Sequence, residues 1–177
     1  MGERAVALAI IFLASEPRRG VRSAGTEIPH TYTSVLVHLI FSTKDRRPYL
    51  DAELRPRLFA YMGGILRELG STPILINGPG DHVHALATLP ATAALADLVR
   101  VLKANSSRWV HEQWPRRREF AWQSGYGAFS VSRSNADEVE RYVAGQEEHH
   151  RHVTFQEEFL AFLQRHGVPF DPRHVWD

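Results

Sequence analysis

From Thr31 onward the apolar positions of this chain switch between two periods, one near two residues and one near four, and the switches mark its elements. Residues 32–41 include Tyr32, Val35, Leu36, Val37, Leu39, Ile40 and Phe41, a β-branched and aromatic run that predicts a first strand. It ends in the polar turn 42–48. Leu54, Leu58, Tyr61, Met62, Ile65, Leu66 and Leu69 then recur at helical spacing, with Asp51 as the expected N-cap and Gly70 as the stop. Pro56 is expected to break the first turn of that helix. Residues 71–77 and 82–89 are short apolar runs on either side of Gly78-Pro79-Gly80-Asp81, which predicts a β-hairpin.

Thr92 is the expected cap of a long amphipathic helix carrying Leu95, Leu98, Val99 and Leu102 and reaching Trp109 or Glu112. Two short strands are expected at 120–123 and 127–131, separated by Ser124-Gly125-Tyr126. A helix then starts at Ser134 or Asn135, with Glu138 in capping-box position, and carries Val139, Tyr142, Val143 and Gln146 on one face. Thr154 and Glu157 form a second capping box, opening a last helix with Phe155, Phe159, Phe162 and Leu163 that stops at Gly167. The order β-α-β-β-α-β is that of an α+β, ferredoxin-like sandwich: a central antiparallel sheet with helices on one face, plus C-terminal helices.

A chain of 177 residues suits one domain with a sizeable core. Its apolar run 5–14 is too short to span a bilayer, although its length and the preceding Arg4 would suit a signal peptide. Because a polar stretch follows and the pattern begins only near Thr31, residues 1–30 are expected to be an appendage, disordered or outside the fold. Residues 31–177 are expected to form the functional domain, acting in the cytoplasm with no membrane partner. There is no cysteine, which excludes disulfides, thiolate metal sites and cysteine nucleophiles. The 21 basic and 20 acidic residues leave a net charge of +1, so any nucleic acid must bind a local patch rather than a global field.

Candidate chemistry lies in two small motifs. Side chains alternate faces along a strand, so His82 and His84 point to the same side and their imidazoles can meet at one ion. Neutral imidazoles suit transition metals and leave positions open for a phosphate oxygen. A histidine-triad hydrolase would need a third histidine at position 86, which is Leu86; a barrel metallohydrolase would need a longer chain. On the later helix, Tyr142 and Gln146 are neighbours four residues apart, a nucleophile beside an amide oxygen. Each motif has an ordinary reading too: exposed strand histidines, a core tyrosine, a solvated glutamine. Tyr126, between Gly125 and Gly127, is a competing nucleophile with no ligand at helical spacing. His149, His150 and His152 follow Glu147 and Glu148 and are expected to face solvent.

The segments His38-Leu39-Ile40-Phe41-Ser42-Thr43-Lys44, Asp81-His82-Val83-His84, Leu102-Lys103-Ala104-Asn105-Ser106-Ser107, Trp122-Gln123-Ser124-Gly125-Tyr126 and Tyr142-Val143-Ala144-Gly145-Gln146-Glu147, in this order, resemble the single-tyrosine HUH transposases of small bacterial insertion sequences, the IS200-like and REP-associated group. That resemblance implies cleavage and rejoining of single-stranded DNA at hairpin-marked ends, with Mg²⁺ or Mn²⁺, through a 5′-phosphotyrosine. It makes His82, His84 and Gln146 the metal ligands and Tyr142 the nucleophile. It further implies a homodimer in which the tyrosine helix of one subunit can complete the site of the other. Ala85 departs from the family's larger aliphatic residue, and Gly145 is expected to give the tyrosine helix freedom to reposition.

Lys44, Arg46, Arg47, Lys103 and Arg108 are the expected DNA contacts, with Arg116, Arg117 and Arg118 as further basic candidates. Trp114 and Trp122 can stack on unpaired bases or pack internally. One rival is a domesticated, non-cutting nucleic-acid-binding protein of the same fold, which has no need of all four site residues. Another, a replication initiator or relaxase, usually needs more chain than 177 residues.

Overall fold

The computed structural model describes residues 32–173 and 175–176, and its elements all lie in the unit Thr33–Asp177. The expected appendage, residues 1–30, lies outside the described residues. Strand β1 (Leu36–Ser42) is followed by helix α1 (Leu54–Glu68), the hairpin β2 (Pro73–Asn77) and β3 (His82–Thr88), helix α2 (Leu95–Gln113) and strand β4 (Gly127–Val131). Helices α3 (Ala136–Ala144), α4 (Gln146–His149) and α5 (Phe155–Arg165) complete it. The strands form one sheet in the order β2-β3-β1-β4, with every neighbouring pair antiparallel. This is the expected ferredoxin-like α+β architecture.

Strand β1 is buried along its whole length because both faces of the sheet are covered. Val37, Leu39 and Phe41 join Val83, Ala85 and Ala87 of β3 under Leu58, Met62 and Leu66 of α1 and Leu98 and Leu102 of α2. Removing one such large aliphatic side chain from water contributes about 1.5–3 kcal/mol. Ala85 is fully buried in this layer. The alternation of the strands turns Ile40 and Phe129 the other way, where Phe155 and Leu163 of α5 cover them. His82 and His84, out of phase with Val83 and Ala85, belong to this second face.

Local details differ from the sequence pattern in four places. The N-cap of α1 is Glu53, two residues past the expected Asp51, whose Oδ1 still accepts from the Glu53 and Leu54 amides; Pro56 sits within the first turn without breaking it, where no intrahelical donor is required. Helix α2 starts after Ala94 with no side-chain cap, so Thr92 does not serve as one. Residues 120–123 form no strand; a single bridge joins Trp122 to Thr43. Asn135 ends a 3₁₀ turn (Arg133–Asn135) and makes no capping box with Glu138, whereas the box of Thr154 and Glu157 is fully formed. Among the described residues no helix is long and apolar enough to cross a membrane.

Candidate functional site

The β2–β3 turn sets the first histidine. A Cβ on Gly78 would lie 2.2 Å from the His82 carbonyl oxygen, so only glycine lets the chain pass this close to the start of β3. His82 and His84 then project into the second face, both fully buried. The Nδ1 of His82 lies 2.7 Å from Asp81 Oδ1, and the Nδ1 of His84 lies 3.0 Å from Nε2 of the buried His38 on β1. With Nδ1 as the donor in each pair, both rings keep Nε2 free as a lone pair, the arrangement that orients histidine ligands. Burial pushes the His84 imidazole down to about 4 and that of His38, with its neighbour His84, down to about 3, so both are neutral at ordinary pH.

Helix α3 brings the other motif. Asn77, the last residue of β2, donates from Nδ2 to the carbonyls of Val143 (2.9 Å) and Ala144 (3.1 Å), fastening the end of α3 to the sheet. Tyr142 and Gln146 share a face as expected, although Gly145 divides the helix and Gln146 opens α4. Gln146 is fully buried, not solvated. The ring of Tyr142 packs edge-on to His84 at 6.0 Å and to His38 at 6.2 Å between centroids.

Two members of this site were not expected from the sequence. Glu158 of α5 is 4 % exposed; its Oε1 accepts from the Tyr142 hydroxyl and from Gln146 Nε2 at 3.2 Å. Burial alone would raise its carboxyl, but the His150 and His84 imidazoles facing it and the Tyr142 hydroxyl outweigh that and hold it well below the usual carboxylate range. The same interaction acts on Tyr142: burial, the Glu158 hydrogen bond and its charge all push the phenol up. His150, expected in solvent, is turned inward with Nε2 2.9 Å from His82 Nε2. His149 is half-buried with Nε2 3.5 Å from Glu158 Oε1, and only His152 is exposed as expected. The signal for Glu158 was its position between Phe155 and Phe162 on the apolar face of α5.

These residues suit a divalent cation. His84 Nε2, Gln146 Oε1 and Glu158 Oε2 are buried and make no hydrogen bond, and His82, His84, His150 and Glu158 offer ligand atoms within 4.8 Å of one another. Unpaired buried acceptors are costly in the absence of a cation or proton among them.

The other candidates lie elsewhere. Tyr126, 38 % exposed, borders a separate cavity with Arg46, Gln123 and Trp176. Lys44 and Arg108 are exposed; Arg47 pairs loosely with Glu119 at 3.3 Å, and Arg46 lies 5.6 Å over the ring of Trp176. Arg116 and Arg118 belong to the loop after α2, while Arg117 is paired with Asp51. Lys103 is committed inside the fold, donating to the carbonyls of Gln123 (2.5 Å) and Gly125 (2.7 Å). Trp122 is in the core, its Nε1 donating to Ser106, and Trp114 stacks with Arg57 and donates to Glu53, so neither ring is a free platform.

Known proteins share this sequence pattern and fold. Residues 31–146 match the family described as IS200-like transposase. The chain is similar to the ISDra2 transposase TnpA of Deinococcus radiodurans, 27% identical over 114 residues that span 62% of this chain and 81% of the relative. A crystal structure from Deinococcus radiodurans R1, described as a transposase, superposes with a TM-score of 0.56 at 23% identity, covering 68% of this chain and 98% of that one. A REP-associated tyrosine transposase bound to a REP hairpin superposes with a TM-score of 0.53 at 15% identity, covering 73% of this chain and 76% of that one.

Proposed function

This chain belongs to the IS200-like transposase family, and we propose that it nicks and rejoins single-stranded DNA at hairpin-marked ends through a 5′-phosphotyrosine on Tyr142. One observation carries this reading: Tyr142, Gln146 and the imidazoles of His82 and His84 meet in a single buried site built from one chain. Mg²⁺ or Mn²⁺ held by His82, His84 and Gln146 would polarise the scissile phosphate. Tyr142 Oη attacks phosphorus; the Oη–P bond forms as the P–O3′ bond breaks, and the 3′ oxygen leaves with a proton from water. The phenol, pushed up by burial and Glu158, is protonated at neutral pH, so its proton must depart during attack. Glu158 Oε1, which accepts a hydrogen bond from that hydroxyl, orients it, and the proton passes to water as the Oη–P bond forms. Rejoining reverses the step, with a 3′-hydroxyl attacking the phosphotyrosine, so bond energy is conserved without a high-energy cofactor.

The solved relative bound to a REP hairpin supports a hairpin as the partner DNA, and Lys44, Arg46, Arg47 and Arg108 are the side chains proposed to meet its phosphates. Homodimerisation with exchange of the tyrosine helix, and action in the cytoplasm, rest on the family resemblance. A domesticated, non-cutting binder would have no use for the buried Tyr142–Glu158 hydrogen bond.

The test is incubation of the protein with single-stranded hairpin oligonucleotides from the flanks of its own gene, with Mg²⁺ or Mn²⁺, followed by a denaturing gel. A covalent adduct is expected with the wild type and with Tyr126→Phe, and none with Tyr142→Phe. An adduct that persists in Tyr142→Phe overturns the assignment.

A further inference from the structure

We infer that His150 and Glu158 bind the same divalent cation as His82, His84 and Gln146, so that the centre presents three imidazoles and a carboxylate beside the Gln146 amide. This rests on the proposal that the site holds a cation, and goes beyond its ligand set. The family match ends at residue 146, so it assigns nothing to either residue.

Three rings are held in the same sense. His82, His84 and His150 each have Nδ1 against a fixed partner: Asp81 Oδ1 at 2.7 Å, His38 Nε2 at 3.0 Å and the Val153 carbonyl at 2.7 Å. Each therefore turns Nε2 toward the same point. The three Nε2 atoms lie 3.8, 3.3 and 3.3 Å from one atom, Glu158 Oε2. The opposite carboxylate oxygen is already used by Tyr142 and Gln146, whereas Oε2 makes no hydrogen bond. His82 Nε2 and His150 Nε2 face each other at 2.9 Å, a distance that suits a proton shared between them in the metal-free protein and a cation beside them in its place.

The carboxylate is also built in. Helix α5 docks on the sheet through Phe155 and Leu163, and this apolar packing drives Glu158 into the site against the cost of burying a charge. A carboxylate present only to restrain Tyr142 would need one oxygen; here the second is aimed at the imidazoles. A donor set with three imidazoles favours a transition-metal ion over Mg²⁺, which prefers oxygen ligands and retained water.

Titration of the full-length protein with Co²⁺, followed by visible absorption, tests the ligand set without any DNA. His150→Ala and Glu158→Gln are each expected to weaken Co²⁺ binding by at least about tenfold, the loss that even an outer-shell partner can cause, and to alter the absorption bands. His152→Ala, an exposed neighbour, should bind as the wild type does. A large excess of Mg²⁺ should fail to displace Co²⁺, while Mn²⁺ should compete. Because a buried substitution can disturb folding, the wild type supplies a second measurement: on adding Zn²⁺, the ¹⁵N resonances of three Nε2 atoms, His150 among them, should move to metal-bound positions. Wild-type affinity and spectra in both His150→Ala and Glu158→Gln, with binding lost in His82→Ala, would overturn the inference while leaving the cation reading intact. Movement of only the His82 and His84 resonances would overturn it likewise. No saturable binding of Co²⁺ or Zn²⁺ by the wild type would overturn both.

Discussion

Asn77 stands opposite His84 in the β2–β3 ladder, and its side chain holds the last carbonyls of the helix that carries Tyr142. The strand that carries His82 and His84 and the helix that carries Tyr142 are thus fixed to each other through one amide. Two hydrogen bonds to the end of α3 leave the helix little freedom to slide along the sheet.

Asn77→Ala should keep the fold and lose about 1–2 kcal/mol of stability, the worth of one or two such bonds. The covalent adduct with hairpin DNA should form more slowly, because Tyr142 loses its anchor, while divalent-metal affinity stays at the wild-type level. Urea denaturation, adduct kinetics and metal titration separate these effects. Equal losses of metal affinity and adduct rate would show that Asn77 supports the whole site instead of positioning Tyr142.

Lys103 is the basic residue whose role differs most between sequence and structure. Its ammonium, pushed down to about 8 by burial but still charged at neutral pH, ties together the loop carbonyls of Gln123 and Gly125 and sits 5.5 Å from the Phe41 ring. Lys103→Met should therefore cost about 1.5–3 kcal/mol in stability, as expected for hydrogen bonds to a charged group. It should leave the salt dependence of single-stranded DNA binding unchanged. Lys44→Ala or Arg108→Ala should have the opposite profile, with stability kept and the slope of log K against log salt reduced by about 0.7 for each phosphate no longer neutralised. A reduced slope in Lys103→Met would return it to the DNA interface.

The fold was legible where local pattern and final packing agree. Within the run 32–41, residues 36–41 alternate onto two covered faces while 32–35 stay exposed and outside the strand, the Gly78–Asp81 turn makes the expected reversal, and Thr154 with Glu157 caps α5 as its spacing predicts. The four motif residues were legible because strand and helix periodicity place each pair on one face. Glu158 and His150 were not, since both owe their placement to α5 docking across the sheet; the apolar face around Glu158 marks α5 as packed but does not say against which strands. His150 follows two glutamates that do face solvent, so local polarity pointed the wrong way. Thr92 and Asn135 failed as caps for the converse reason: their residue types suit the role, but α2 starts only after Ala94, and Asn135, though at the N-cap of α3, has φ −101° and ψ 0° and makes no side-chain capping hydrogen bond.

Acid should destabilise the metal-free protein in a defined window. His38 and His84, lowered by burial to about 3 and about 4, refuse protons that the unfolded chain accepts near 6.5. The unfolded state thus binds more protons between about pH 6.5 and 4, and stability falls as pH falls through that range. His150 acts in the other direction: burial would lower it, but Glu158 and the Val153 carbonyl raise it, so its contribution is complete below 6.5 and is lost as pH rises through its folded value. The urea midpoint of the metal-free protein should therefore peak near neutrality and drop on the acid side, and His38→Asn should flatten the acid limb. A midpoint that stays level down to about pH 4.5 contradicts the neutral, buried state of these two rings.

Gly145 offers a test of whether the tyrosine helix must move. It separates α3 from α4, between Tyr142 and Gln146, with φ −85° and ψ 8°, a conformation open to any residue. A Cβ there would meet only the Arg141 and Tyr142 carbonyls, at 3.5 and 3.8 Å, so alanine fits without a clash. Gly145→Ala should raise stability by about 0.4–1 kcal/mol by restricting the unfolded chain. If the glycine serves as a joint that lets Tyr142 carry bound DNA from the cleaved end to the joining partner, the first step should proceed near the wild-type rate and strand transfer should slow. Single-turnover cleavage and joining, measured on the same hairpin substrate, give the two rates separately. Unchanged rates for both steps would reduce Gly145 to a tolerated break in the helix.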